Sequence, residues 1–172
     1  MKLKNNYQRI YFAAAFFLLL CLSACYESRF PLDPMPQAPI DTSLLASWRC
    51  LPADPDTDST AATLTINMAR EGVYTSVFQA DDEQPETYET HTSLVKGQPL
   101  LNIRDGGEPA TWVFGRYLLL LPNVLQIQIV DADGLEGMYE TPADLRQALE
   151  QQLDNPKLFS DLMTCVRIKN EA

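Results

Sequence analysis

Residues 62–78, ATLTINMAREGVYTSVF, decide the fold class of this chain. Apolar residues occupy every second position up to Met68, which is the period that a half-buried β-strand requires. The pair Glu71-Gly72 interrupts this alternation, and Tyr74 resumes it. The stretch therefore predicts two antiparallel strands joined by a tight turn.

The same pattern continues toward the C-terminus. Further strands are predicted over residues 87–95, 100–104, 110–120 and 124–130, and turn residues separate them. Short connections between strands favour an antiparallel meander over βαβ units. The segment from Trp112 to Leu121 is apolar on both faces of the strand predicted at 110–120, so we expect another element to cover its outer face.

A helix is the expected cover. Thr141 precedes Pro142 and is followed three residues later by Asp144, a typical helix start, and the apolar stripe ends at Leu153. A second short helix is predicted after Asn155-Pro156 and would bury Leu158, Phe159 and Leu162. Residues 163–168 are predicted to return as a final strand. The expected fold class is mainly β (α+β): a meander sheet or a small barrel with one or two C-terminal helices and a closing strand.

Composition limits the function classes. The 172 residues include 13 Lys and Arg and 23 Asp and Glu, for a net charge of -10, and 46% of them are hydrophobic. This is the composition of one globular domain. A nucleic-acid partner is excluded because phosphate contacts need clustered basic residues.

The N-terminus indicates export. Lys2, Lys4 and Arg9 precede the uncharged apolar run of residues 10–20, as in a secretory signal. The run ends in Leu22-Ser23-Ala24-Cys25, which resembles the lipobox of bacterial lipoproteins. A plain secretory signal and an uncleaved anchor are the alternatives.

The lipobox resemblance implies a signal peptide over residues 1–24, cleaved before Cys25, whose thiol then carries acyl chains such as palmitate. The protein would be held on a membrane by these chains without spanning it. Tyr26 is not the Asp that commonly retains such proteins in the inner membrane, which implies the outer membrane, facing the periplasm. Removing residues 1–24 takes away three basic residues and leaves 10 basic against 23 acidic groups.

Residues 26–43 contain four prolines and no apolar periodicity. Together with Cys25 they are predicted to form an extended tether between the membrane and a single β-rich domain over residues 44–172. Within that domain, Cys50 and Cys165 are the two thiols left after lipidation, and the oxidising compartment predicts that they pair. Two separate buried thiols are the alternative.

The body resembles small uncharacterised bacterial lipoproteins and is loosely similar to lipocalin-like barrels. The resemblance is carried by Trp48-Arg49-Cys50, the strand at residues 62–65, Trp112-Val113-Phe114, the helix from Asp144 to Leu153, and Cys165-Val166-Arg167. It implies a barrel with a late helix and a closing strand.

Residues for catalysis or for a metal are scarce. His91 is the one histidine, which excludes a multi-histidine metal site, and it is predicted to lie on the surface of a polar strand. Residues 131–136, DADGLE, suit either a turn in which Gly134 adopts positive φ or a calcium loop. We predict no catalytic residues, no metal and no cofactor.

One ligand site is predicted. Arg116 shares a strand face with Trp112 and Phe114, which would place a guanidinium beside an aromatic wall suited to an anionic amphiphile. The function expected from the sequence is a non-catalytic binding or interaction module of the bacterial envelope, with an envelope protein as partner. The alternatives are a lipocalin-like carrier of a small apolar ligand and an envelope hydrolase.

Overall fold

The computed structural model describes residues 25–51, 61–81, 83–135, 137–159 and 163–168, and the predicted signal peptide lies outside these residues. Eight antiparallel strands form a closed barrel in which each strand pairs with the next and the last pairs with the first. The strands are β1 Ala46–Leu51, β2 Ala62–Arg70, β3 Val73–Ala80, β4 Glu86–Val95, β5 Gln98–Arg104, β6 Trp112–Leu121, β7 Val124–Ile129 and β8 Met163–Arg167. The predicted mainly β, lipocalin-like barrel is thereby confirmed.

Two predicted turns carry the backbone conformations that tight hairpins need. Gly72 has a φ of +73° between β2 and β3, and a Cβ atom there would lie 2.6 Å from Cβ of Pro36. Lys96 and Gly97 both have positive φ, at 49° and 79°, between β4 and β5. Two such residues form the two-residue loop that matches strand twist.

The barrel divides its apolar residues between an interior and an outer core, because successive side chains of a strand point to opposite faces. The interior core is centred on Trp48, Leu64, Ile66 and Leu125. The outer core lies on strands β4 to β7. Its members are Tyr26, Leu32, Val95, Leu100, Phe114, Val130, Leu135, Leu145, Leu149, Leu153, Leu158 and Phe159.

Helix α1, Pro142–Gln152, covers part of the outer face, as predicted. Thr141 caps it by accepting a hydrogen bond from the backbone N–H of Asp144 at 3.2 Å. Leu145 and Leu149 are fully buried in the outer core with Phe114. The predicted cover extends over only the first half of β6, since Leu118 and Leu120 in its second half are 56% and 49% exposed.

The predicted second helix after Asn155-Pro156 is wrong for the described residues 155–159, which form a turn. The backbone carbonyl of Leu158 accepts a hydrogen bond from the N–H of Asp131, and Phe159 forms a β-bridge with Val130. A helix would remove these pairings. Leu158 and Phe159 are nevertheless buried, as predicted, and Leu162 lies outside the described residues.

Residues 26–43 do not extend away from the body as the sequence suggested. The N–H of Tyr26 donates to the carbonyl of Val130 at 3.0 Å, and Ser28 exchanges two 2.8 Å backbone hydrogen bonds with Trp112. Tyr26 and Leu32 are only 8% and 3% exposed. The segment bends repeatedly between residues 29 and 38, and its apolar side chains pack on the outer core and hold it against the barrel.

The side chain of Asn102 holds residues 26–43 on the barrel through hydrogen bonds. Its side chain is fully buried, and Oδ1 accepts a 2.8 Å hydrogen bond from the backbone N–H of Leu32. Nδ2 donates to Oγ of Ser93 at 2.8 Å and to the carbonyl of His91. Without the amide, the buried backbone N–H of Leu32 would lose this partner.

We expect Asn102→Ala to lower the free energy of unfolding by about 1 to 3 kcal/mol, the usual cost of a buried polar group left without a partner. Urea unfolding measures the loss, and hydrogen exchange should show faster exchange at the Leu32 amide. Asn67→Ala, on the exposed side of β2, is the matched control. Equal unfolding free energies for the two variants would contradict this prediction.

Candidate binding site in the barrel

One end of the barrel is closed by Trp48. Its ring is fully buried, and Nε1 donates to the carbonyl of Leu44 at 3.0 Å, in the short 3₁₀ helix Thr42–Leu44. The guanidinium of Arg167 lies over the ring, 4.8 Å from its centre, and donates to the carbonyl of Ser43. The first and last strands therefore seal this end together.

A polar network completes the closed end. Tyr117 donates to Oδ2 of Asp41 at 3.1 Å, and the hydroxyl of Tyr74 accepts from the Asp41 N–H at 2.6 Å. Burial by itself would raise the pKa of Asp41, but hydrogen bonds from Ser43 and Tyr117 lower this pKa below its usual value. Burial beside this carboxylate raises the pKa of both tyrosines. These groups are engaged in holding the 3₁₀ helix on the barrel.

The interior toward the opposite end is lined mainly by apolar side chains. Strand register places alternate residues of β5, β6 and β7 inside, and Cδ1 atoms of Ile103 and Ile129 lie 3.7 and 3.1 Å from where a Cβ of Gly115 would stand. Leu64 and Leu125 near Trp48 are buried. Seven inward-facing side chains toward the other end are only half-buried: Phe78, Tyr88, Ile103, Val113, Ile127, Ile129 and Met163.

Polar groups lie at the rim of this apolar interior. Tyr88 donates its hydroxyl to a carboxylate oxygen of Glu86. Burial, followed by the hydrogen bond to Glu86 and the charge of Asp105, raises the pKa of Tyr88, which therefore stays neutral near pH 7. An apolar interior with a few polar groups at its edge is the usual composition of a small-molecule site.

The predicted pair Cys50 and Cys165 forms a disulfide between β1 and β8, which confirms that prediction. Cys25 carries an exposed thiol and forms a β-bridge with Asp131. Burial of part of the group and the carboxylates of Asp131 and Glu27 raise the pKa of this thiol. The lipid attachment predicted at Cys25 stays a prediction.

Trp112, Phe114 and Arg116 do share a face, but it is the outer face of the barrel. Phe114 is fully buried in the outer core, with its ring centre 6.4 Å from that of Tyr26. Arg116 lies 3.9 Å from the centre of the Phe159 ring, and its Nε donates to Gln128 at 2.8 Å. A ligand could contact Phe114 only by displacing the N-terminal segment, so these contacts favour a structural role.

Trp112 is half-buried, with His91 edge-on to its ring, and both line a groove of about 790 Å³ beneath residues 34–40. The surface position predicted for His91 is wrong, because it is only 5% exposed. Its Nε2 atom pairs with the carbonyl of Asp33 at 2.8 Å. The N-terminal segment covers this part of β4. The polar residues next to His91 in the sequence could not show that a distant segment covers it.

The turn at residues 131–135 is explained by packing. A Cβ on Gly134 would lie 2.2 Å from the carbonyl oxygen of Lys157, so close approach demands glycine there, while positive φ in this loop belongs to Gly137. Oδ1 of Asp131 accepts from the N–H of Asp133. Among the described residues no group of three or more His, Cys, Asp or Glu could hold a metal, and Glu136 lies outside them.

The half-buried interior residues did not stand out in the sequence as a site. Ile127 and Ile129 alternate with glutamines along β7, and this period of two was the available signal. Which parity faced inward became clear only from the register with β6 and β8.

The chain matches no protein-family model, no curated protein and no solved structure. Within the described ranges, the structure holds no helix of the length and apolarity needed to cross a bilayer.

Proposed function

We propose that this protein is a lipid-anchored, non-catalytic binding module of the bacterial envelope, and that its barrel takes up a small apolar ligand. The observation that carries the proposal is a set of inward-facing apolar side chains, among them Ile103, Val113 and Ile129, that are only half-buried in a barrel whose other end Trp48 closes. An eight-stranded barrel is wide enough to hold one small ligand in this way.

Charge narrows the class of ligand. Glu86 and Asp105 lie beside Tyr88, close to the half-buried interior, and the chain from Cys25 onward has more than twice as many acidic as basic residues. These carboxylates disfavour an anionic ligand. The ligand is therefore a neutral apolar molecule in this proposal, and the envelope partner protein would exchange that ligand with the barrel.

Binding of a neutral apolar fluorophore tests the proposal. The test protein is the chain from residue 25 with Cys25→Ser, which contains all eight strands and α1. We expect saturable binding of N-phenyl-1-naphthylamine at one site. Ile103→Trp fills the interior and should weaken this binding at least about tenfold, equivalent to 1.4 kcal/mol.

Leu118→Trp adds the same side chain on the outer face of β6, at a residue that is 56% exposed, and should leave the affinity for the fluorophore unchanged. Absence of saturable binding would overturn the carrier proposal. Binding that survives Ile103→Trp would also overturn it, and would direct attention to the groove beneath residues 34–40. Native mass spectrometry of the purified protein would identify a co-purifying ligand.

The anchor is tested separately in the cell. The full-length chain should fractionate with membranes and carry the mass of an acylated Cys25, and Cys25→Ser should release it or block its processing. Outer-membrane attachment facing the periplasm is the expected location. A mature protein without added lipid mass would overturn the anchor.

A further inference from the structure

We infer that the β6–β7 hairpin is a membrane-docking surface, so that the barrel lies on its side against a lipid bilayer. The contact surface consists of Leu118, Leu120 and Leu121 on β6 with Val166 and Ile168 at β8, and it is named the leucine face here. The inference adds an orientation to the lipid anchor proposed above and rests on that anchor.

Exposure singles out the leucine face. Of ten large apolar side chains that are exposed among the described residues, five belong to it, with exposures of 40% to 58%. The apolar side chains of the outer core, Phe114 among them, are instead covered by α1 and the N-terminal segment. Soluble proteins seldom leave apolar side chains clustered in this way unless the cluster contacts a partner.

The position of the anchor argues for a bilayer as that partner. Tyr26 is bound to Val130 and buried, so no flexible spacer separates Cys25 from the barrel. Cys25 is bridged to Asp131, seven residues beyond Val124. At about 3.3 Å per residue, roughly 23 Å separates the two ends of this hairpin. Acyl chains on Cys25 would hold the hairpin close to the lipid.

The distribution of charge also favours contact between this hairpin and a bilayer. Residues 109–130 form the longest stretch without an acidic residue after Cys25, and Arg116 is their single charge. In a chain with 23 acidic residues, this hairpin is the part least repelled by phosphate headgroups. Glu27 and Asp131 flank Cys25, so zwitterionic lipid suits the contact better than strongly anionic lipid.

Tryptophan quenching by brominated lipid tests the docking. The chain from residue 25, with its Cys25 thiol, is coupled to phosphatidylcholine vesicles that contain a maleimide-bearing lipid. This coupling supplies the anchor chemically, so the result does not depend on whether the cell acylates Cys25. Leu120→Trp and Leu118→Trp report from the leucine face. Met68→Trp, on β2 at 63% exposure, is the matched control.

We expect brominated acyl chains to quench most of the fluorescence added by Leu120→Trp and Leu118→Trp, and to leave that of Met68→Trp unchanged. Equal quenching of all three, or of none, would overturn the docking surface while leaving lipidation itself untouched. The leucine face could instead contact a second copy of the chain. Sedimentation of the uncoupled chain tests this by measuring whether it forms a dimer. A dimer that Leu120→Gln abolishes would assign the face to a second copy of the chain and overturn the bilayer.

Discussion

Replacing both Cys50 and Cys165 with Ala should lower the free energy of unfolding by about 4 to 5 kcal/mol. The disulfide joins residues 115 apart, and a cross-link of that span removes a large amount of conformational freedom from the unfolded chain. It also ties β8 to β1, the pairing that closes the barrel. For a domain of this size the melting temperature should fall by on the order of 10 °C.

Urea unfolding of the double variant measures this loss. All variants carry Cys25→Ser, so that no free thiol takes part in exchange, and the protein with the disulfide intact is the control. An unchanged urea midpoint would contradict the prediction. The bond itself is checked by alkylation without reductant, in which label on Cys50 and Cys165 would show that the purified protein lacks it.

Trp48→Ala should lower the free energy of unfolding by about 3 to 5 kcal/mol, the usual range for removing a large aromatic side chain from a core. The ring is fully buried, and it supports both the 3₁₀ helix through Leu44 and the guanidinium of Arg167. Its loss leaves a cavity at the closed end and takes away the ring face over which Arg167 lies. Nε of Arg167 is buried and has no hydrogen-bond partner among the described residues.

Trp112→Ala is the matched control, because Trp112 is half-buried at the outer groove and should cost less. Trp48→Phe should fall between wild type and Trp48→Ala, since it keeps most of the apolar area but loses the donor to Leu44. Urea unfolding of the three variants ranks their free energies of unfolding. An equal loss for Trp48→Ala and Trp112→Ala would contradict the sealing role of Trp48.

The elements that sequence predicted well are those with strong local signals. The β2–β3 hairpin follows from alternation around Glu71-Gly72, and α1 follows from Thr141, Pro142 and a stripe at helical spacing. The disulfide followed from the thiols left once Cys25 was set aside. Each of these conclusions needs only neighbouring residues or a count.

The errors came from contacts between distant segments. Proline content predicted an extended tether over residues 26–43, but the segment bends repeatedly, and Tyr26 and Leu32 pack on the barrel. The same packing buries His91, which its polar neighbours in sequence suggested was exposed. In β6 both parities are apolar, so the pattern could not say that Phe114 faces outward under cover while Leu118 faces outward without it.

The sequence by itself determined the strands, the helix and the disulfide, because these depend on periodicity, capping and residue chemistry within short stretches or on a count of cysteines. Only the tertiary structure decided that the meander closes on itself, which end of the barrel Trp48 fills, and where Cys25 meets the body. Those features depend on strand register and on apolar surfaces brought together from far apart in the chain. Burial of an apolar surface contributes free energy only when the second surface that covers it is in place.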